Sequence, residues 1–293
     1  MLLHRYFNSH AFETLKRARL KTSRISSFND SFEFLYFTVG KKMTQEEVAK
    51  DLPTLLNHPR FRQGLIDSNE KSGSPLNIQE VEQILKDYPT FTSEHAAQVW
   101  QEIVEKEELP IARRRQIIDA DVRAICFADP GRVKTTDELL LWSHYGKKHE
   151  GIRIGFEFPG PFDVPFQLSA IEYQEKRVQV VFSIANDSET FKSLLRSAIV
   201  KCKVWEYEKE YRLFAKTNLC VPEEIKNCDA TTTVEHFLDF KREWVKFVDF
   251  GVFCPESEIH KIITLLKTDY PNAVARKAEF HKTEYALEYI HIH

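Results

Sequence analysis

Two stretches, Val122-Arg123-Ala124-Ile125-Cys126-Phe127 and Gly151-Ile152-Arg153-Ile154-Gly155-Phe156-Glu157-Phe158, decide the fold class. Each is a short run of β-branched and aromatic residues, of strand length and too short for a buried helix. Working outward, similar runs occur at Leu2 to Phe7, Ser169 to Tyr173, Val178 to Phe182, Tyr211 to Ala215 and Trp244 to Phe250, with a last one at Tyr285 to His291. Helical spacing separates them at His10 to Arg19, with Ser9 as its cap, and at Glu138 to Tyr145, Glu189 to Val200 and Glu256 to Leu266. Leu20 to Ser26 alternates weakly, as a further strand would, and runs into the turn-forming cluster Ser27-Phe28-Asn29-Asp30. Strand and helix do not alternate in regular βαβ spacing. The expectation is therefore an α+β fold with a central mixed, largely antiparallel sheet and flanking helices.

Between 41 and 120 the character changes. Val81, Ile84 and Leu85, then Ala96, Val99, Trp100, Ile103 and Val104, recur at helical intervals, and Lys71-Ser72-Gly73-Ser74-Pro75 reads as a linker. Four or five helices are expected, forming an insertion at 41–120 within a core domain made of 1–40 and 121–293. A 34.4 kDa chain buries roughly 75% of its unfolded surface on folding, so neither metal nor disulfide is needed for stability. The net charge of −3 and pI near 6.4 argue against a protein that holds nucleic acid by neutralising phosphates. No apolar run reaches the roughly 18 residues of a membrane span, and Met1 to Phe7 does not read as a secretory signal, so a cytoplasmic location is expected. Five scattered cysteines, none in a Cys-x-x-Cys pair, read as reduced, buried thiols. The nine glycines form no Gly-x-Gly pair, which removes the dinucleotide-loop reading, and the motifs of phosphate loops, zinc proteases and nucleophile elbows are missing too.

Three polar segments stand in apolar surroundings. In His4-Arg5-Tyr6, strand alternation sends Arg5 to the face opposite His4 and Tyr6, where a guanidinium needs an anionic partner. In Trp142-Ser143-His144-Tyr145, ahead of His149-Glu150-Gly151, two histidines five apart do not meet the i, i+4 spacing of helical metal ligands, so no metal is expected. In Trp205-Glu206-Tyr207-Glu208-Lys209-Glu210-Tyr211-Arg212, an extended chain places Glu206, Glu208, Glu210 and Arg212 on one face. Three carboxylates in a row repel one another unless cations or ligand hydroxyls separate them.

On these residues, together with Ser26-Ser27-Phe28-Asn29-Asp30, the chain resembles a bacterial family of unknown function, DUF2971. The family places Pro after Asn-Asp where this chain has Ser31, and 41–120 lies outside the resemblance. The family carries no established activity. A second, weaker likeness is to ADP-ribosyltransferase-type folds, in which His4 or Arg5 matches the first-strand element, Ser26 or Ser27 the second and Glu210 the late Glu-x-Glu carboxylate.

That likeness implies an enzyme cleaving NAD or another nucleotide, with Glu210, His144 and Tyr145 catalytic. Substrate would lie against His4, Arg5, Tyr6, Ser27, Asn29, Asp30, Trp142, Glu208 and Arg212. NAD is then the expected substrate and a small nucleotide the expected partner, with the 41–120 helices as a surface for a protein partner. The rival readings are a non-catalytic nucleotide-sensing or protein-binding module, and an RNA-directed nuclease using His144, His149 and Arg212. By analogy alone, a toxin or phage-defence role fits either class of enzyme.

Overall fold

The computed structural model describes residues 1–30, 32–33, 36–40, 116–159, 167–182, 192, 194–226 and 231–293. Along the chain run β1 (Leu2–Phe7), α1 (Ala11–Arg17), β2 (Arg19–Lys21), β3 (Tyr36–Gly40), β4 (Val122–Ala128), α2 (Thr135–Tyr145), β5 (Ile152–Glu157), β6 (Gln167–Ala170), β7 (Glu172–Gln174) and β8 (Val178–Phe182). They are followed by β9 (Val200–Cys202), β10 (Glu210–Lys216), β11 (Val221–Lys226), β12 (Thr232–Asp239), β13 (Val245–Phe250), α3 (Glu256–Asp269), β14 (Val274–Phe280) and β15 (Leu287–His291).

The chain divides into two compact units, one of Met1–Glu33, Asp119–Glu175 and Ile199–His293, the other of Phe34–Ile118 and Lys176–Ala198. In the second unit β3 and β8 pair in parallel, Tyr36 beside Val178. The helices expected across 41–115 lie outside the described residues.

The first unit is built on an 8-stranded sheet in the order β15-β14-β13-β5-β1-β4-β10-β6. Only β13 and β14 run parallel, which makes the fold α+β with a mixed, mostly antiparallel sheet. On one face, Leu3, Phe7, Ile152, Ile154, Phe156, Val248 and Phe250 form a core with Leu15 of α1 and Ile259, Ile262 and Leu266 of α3. The α3 residues recur at helical intervals, so one stripe of that helix is apolar and the rest is solvated. On the other face α2 lays Leu141 and Trp142 against Tyr6, Ala278 and Leu287. Gly155 lies opposite His4 in the sheet, and a Cβ there would come within 2.2 Å of the Phe247 ring. Only a glycine lets that ring lie flat on the strand.

Several boundaries differ from the sequence expectation. Ser9 does not cap α1: His10 takes that place in the left-handed region (φ 64°), with no side-chain hydrogen bond. The weak alternation of Leu20 to Ser26 yields a strand only through Lys21, and Ile25–Ser27 forms a 3-10 turn instead. Val200 opens β9 rather than ending a helix. Trp205 to Lys209 is not extended, since Lys203–Glu208 winds into a 3-10 turn and Lys209 is left-handed (φ 46°). β11, β12 and β14 were not expected: Glu223, Glu224, Arg276 and Lys277 interrupt their apolar patterns because each strand keeps one face polar.

Among the described residues no helix is long and apolar enough to cross a membrane. Cys126, Cys202, Cys220 and Cys254 are free thiols, and Cys202 is exposed rather than buried because it ends β9 just before the 3-10 turn. Cys228 lies outside the described residues.

Candidate functional site

β4 and β10 pair along their whole length, Glu210 opposite Ala128 and Arg212 opposite Cys126. β1 meets β4 only where His4 faces Ala128, and a cleft of about 200 Å³ opens beside that single pairing. Its lining includes His4, Arg5 and Tyr6 from β1, Cys126 from β4, Tyr145 from the end of α2, and Glu208, Glu210 and Arg212. Asn29, Glu33 and Lys201 complete the polar part of the wall, with the Phe28 ring beside them.

The side chain of Arg212 is 1% exposed and carries the centre of the network. Its Nε donates to Glu210 Oε1 at 2.7 Å, and Nη2 donates to Glu33 Oε2 at 2.8 Å and Glu210 Oε2 at 3.1 Å. The guanidinium carbon also sits 4.3 Å from the centre of the Phe28 ring. Lys201 Nζ reaches all three carboxylates, at 2.6 Å from Glu208, 2.9 Å from Glu33 and 3.3 Å from Glu210, and covers the Trp205 ring at 4.9 Å. Tyr145 donates its hydroxyl proton to Glu208 Oε1 at 2.5 Å and accepts from Asn29 Nδ2 at 2.8 Å. Tyr173 fixes the start of β10, its hydroxyl accepting the Glu210 amide at 2.8 Å.

Three buried carboxylates therefore share two cations, and the balance between burial and pairing sorts them. Burial alone would raise Glu210, but Arg212 and Lys201 overcome it and hold the carboxyl down to about 2. For Glu208 and Glu33 burial wins and the carboxyls sit above the usual carboxylate range, despite Lys201 beside one and Arg212 and Lys201 beside the other. Burial would likewise lower Lys201, yet Glu210, Glu208 and Glu33 raise it, so it stays charged. The thiol of Cys126 and the hydroxyl of Tyr145 are pushed up by burial and by the neighbouring carboxylates, and remain protonated.

Arg5 stands apart from these pairs. Its Nη1 is buried and makes no hydrogen bond among the described residues. Burial lowers its pKa, with only Cys126 and Glu210 acting in the other direction. Among the described residues no carboxylate forms an ion pair with it, although its strand position calls for an anionic partner.

Local backbone geometry delivers these groups. The 3-10 turn ends at Glu208, the left-handed Lys209 reverses direction, and the strand begins at Glu210, so Glu208 and Glu210 converge on Lys201 while Glu206 is left exposed beside Lys209 at 3.1 Å. After Asn29, Asp30 accepts the Phe32 amide on Oδ1 at 2.9 Å, a side-chain turn that brings Glu33 back beneath Arg212.

Of the residues singled out in the sequence, His4, Arg5, Tyr6, Asn29, Tyr145, Glu208, Glu210 and Arg212 line this one cleft. The remaining four are placed elsewhere. His144 is exposed and bonds Tyr207 at 2.9 Å, and Ser27 donates to the Arg24 carbonyl at 2.7 Å. Asp30 shapes the turn, and Trp142 is fully buried, donating to the Tyr289 hydroxyl at 3.0 Å and stacking on His149.

Sequence reasoning missed Lys201, Glu33, Tyr173 and Cys126. Lys201 left one trace, a lysine between Val200 and Cys202, directly after the apolar run Ala198-Ile199-Val200. Glu33 left none, because its role depends on a turn fixed by side-chain bonding.

Neither a curated protein nor a solved structure matches the chain. The family model described as protein of unknown function (DUF2971) matches residues 141–213, the span that holds Tyr145, Lys201, Glu208, Glu210 and Arg212, and it is the family the sequence motifs resemble.

Proposed function

We propose that this cleft is the active site of an enzyme that binds one end of a nucleotide and breaks or transfers a bond there by acid–base chemistry, with NAD as the leading substrate. The observation that carries the reading is a pair of carboxyls, two residues apart and sharing Lys201, whose surroundings drive their protonation in opposite directions beside Arg5, whose buried Nη1 has no hydrogen-bond partner among the described residues. Such divergence is how one site provides both a fixed negative charge and a carboxyl that holds a proton more readily than an ordinary one.

Each residue then has a defined part. Arg5 receives the anionic group of the ligand. Glu210, held ionised by Arg212 and Lys201, supplies negative charge where positive charge would develop on a ribose as a glycosidic bond breaks. Glu208, hydrogen-bonded by Tyr145, moves the proton. Of the two α2 residues that the sequence offers as catalytic, Tyr145 bonds Glu208 and His144 bonds Tyr207 instead, so the part at the carboxyls belongs to Tyr145.

The volume narrows the substrate. About 200 Å³ is below the roughly 300–1,000 Å³ of pockets that enclose drug-sized ligands, so a whole dinucleotide would enter by one end only. A ribose with its phosphate or its base fits that space.

A nucleotide-sensing module without catalysis is the second reading. It is favoured by the way Arg212 and Lys201 are already engaged by carboxylates, which makes a rigid wall. The nuclease reading loses its geometry, because His144 is exposed, His149 stacks on Trp142, and Arg212 is buried against Glu33 and Glu210.

The deciding experiment incubates the full chain with NAD and follows nicotinamide release by chromatography, with NAD and ADP-ribose binding measured by calorimetry in parallel. Release that falls by orders of magnitude in Glu208→Gln and Arg5→Gln supports the enzyme. Binding without release supports the sensing module. Neither binding nor release would remove NAD from the proposal.

A further inference from the structure

On the other side of His4 lies a second cleft, of about 290 Å³, lined among others by His4, Lys134, Thr135, Glu138, Arg153 and Arg276. None of the roles proposed for the first cleft draws on it, apart from the shared His4.

Its charges are unequal. Asp249 accepts from Arg153 Nε and Nη2 at 2.8 and 2.6 Å and from Arg276 Nε and Nη2 at 2.6 and 2.9 Å, while Glu138 takes the remaining Arg153 nitrogen, so these two arginines and two acids balance. Lys134 is exposed and has no ion pair among the described residues, which leaves the cleft with a surplus positive charge. Lys134 is also the N-cap of α2, whose first backbone N–H groups receive no side-chain cap. A helix of this length presents partial positive charge at that end.

His4 is the independent observation. It is 1% exposed, and among the described residues neither ring nitrogen has a hydrogen-bond partner. A neutral imidazole holds one donor and one acceptor, and leaving both unmade in a buried position is costly. Burial, reinforced by Arg153 and Arg276, keeps the ring neutral, so its N–H is available to an acceptor without adding charge.

We infer that this second cleft binds a phosphoryl oxyanion, held by Lys134, the start of α2, Arg276 and the N–H of His4. Donors reach it from a helix end and from two strands, which suits a tetrahedral oxyanion better than a planar carboxylate. The inference stands apart from the enzyme reading of the first cleft.

Inorganic phosphate is the probe, titrated against sodium chloride of matched ionic strength while thermal unfolding is followed. A ligand that binds only the folded chain raises the unfolding temperature in proportion to its occupancy. The expected result is a phosphate-specific rise in the wild type and in Arg5→Gln, and no rise in Lys134→Glu, an exposed change that leaves the fold intact by circular dichroism. His4→Phe, which keeps a ring and removes its nitrogens, should weaken phosphate about tenfold, the scale of one hydrogen bond to a charged group. A response no larger than that to chloride overturns the inference. So does a response lost in Arg5→Gln and kept in Lys134→Glu, which would put the phosphate in the first cleft and leave the proposed function standing.

Discussion

Two buried arginines, Arg153 and Arg212, sit in one sheet and do different work. Arg153 lies over the Tyr289 ring at 4.6 Å and gives its nitrogens to Asp249, Glu138 and Tyr6, while Asp249 also takes Arg276. Acids and bases there are equal in number. Arg212 belongs to a group in which Lys201 and Arg212 bond Glu33, Glu208 and Glu210, so three carboxylates share two cations, while Arg5 in the same cleft forms an ion pair with none of them. A balanced buried cluster holds strands together. An unbalanced one stores a carboxyl that can take up a proton, and that difference separates a structural device from a candidate active site.

The largest effect should come from breaking the balanced cluster. Asp249 is 0% exposed, and Asp249→Ala leaves buried Arg153 with only Glu138 as an ion partner and half-buried Arg276 with none among the described residues. The cost should be about 3–5 kcal/mol, as for other buried pairs that lose one partner. Urea unfolding of this variant beside the wild type measures it; a loss under about 1 kcal/mol would mean that the arginines find water instead.

In the unbalanced cluster the order of effects reverses. Glu208→Gln removes the surplus negative charge, keeps an acceptor for Tyr145, and should change stability by about 1 kcal/mol, the scale of a single hydrogen bond. Turnover, by contrast, should fall by about 10²–10⁴, the usual contribution of a positioned proton-transfer group. Equal losses of folding and turnover would make Glu208 another structural acid like Asp249.

The pH dependence of stability separates the carboxyls themselves. Glu210 is held down to about 2, below the ordinary 4.5, so its contribution is fully present above 4.5 and is lost as pH falls from there toward 2. Glu208 and Glu33 are raised, so the folded chain takes up their protons first and gains stability as pH falls toward 4.5. Buried, neutral His4 works the other way, because the unfolded chain takes up its proton first below 6.5. The carboxyls are therefore separated by comparing variants: Glu210→Gln should flatten the loss below 4.5, and Glu208→Gln should lose more stability than the wild type between neutral pH and 4.5. Shifts in the opposite sense would contradict the sorting of the three acids.

How much of this could be read from the chain follows from the same physics. The sheet was legible because Ile152, Ile154 and Phe156 bury one face of a strand, and Leu3 and Phe7 match them across it. The cleft was legible in part, since Arg5, Tyr145, Glu208, Glu210 and Arg212 are polar groups in apolar surroundings. Lys201 and Glu33 were not, because their importance lies in neutralising and crowding residues far away in sequence. Which carboxyl titrates depends on burial and on two shared cations, and no local pattern records that.

Glu206 carries the smallest predicted effect and the sharpest version of the contrast. Sequence alternation makes it the equal of Glu208 and Glu210, a third carboxylate on one strand face. The backbone denies it that place, since Lys203–Glu208 is a 3-10 turn and the left-handed Lys209 resets the direction before the strand begins. Glu206 is left on the surface beside Lys209, an exposed pair of the kind that contributes little. Glu206→Ala should change stability by no more than about 0.5 kcal/mol and leave turnover and ligand affinity as in the wild type. If its loss lowered turnover as Glu208→Gln does, the three acids would act as one ladder, and the turn could not be what selects two of them for the cleft.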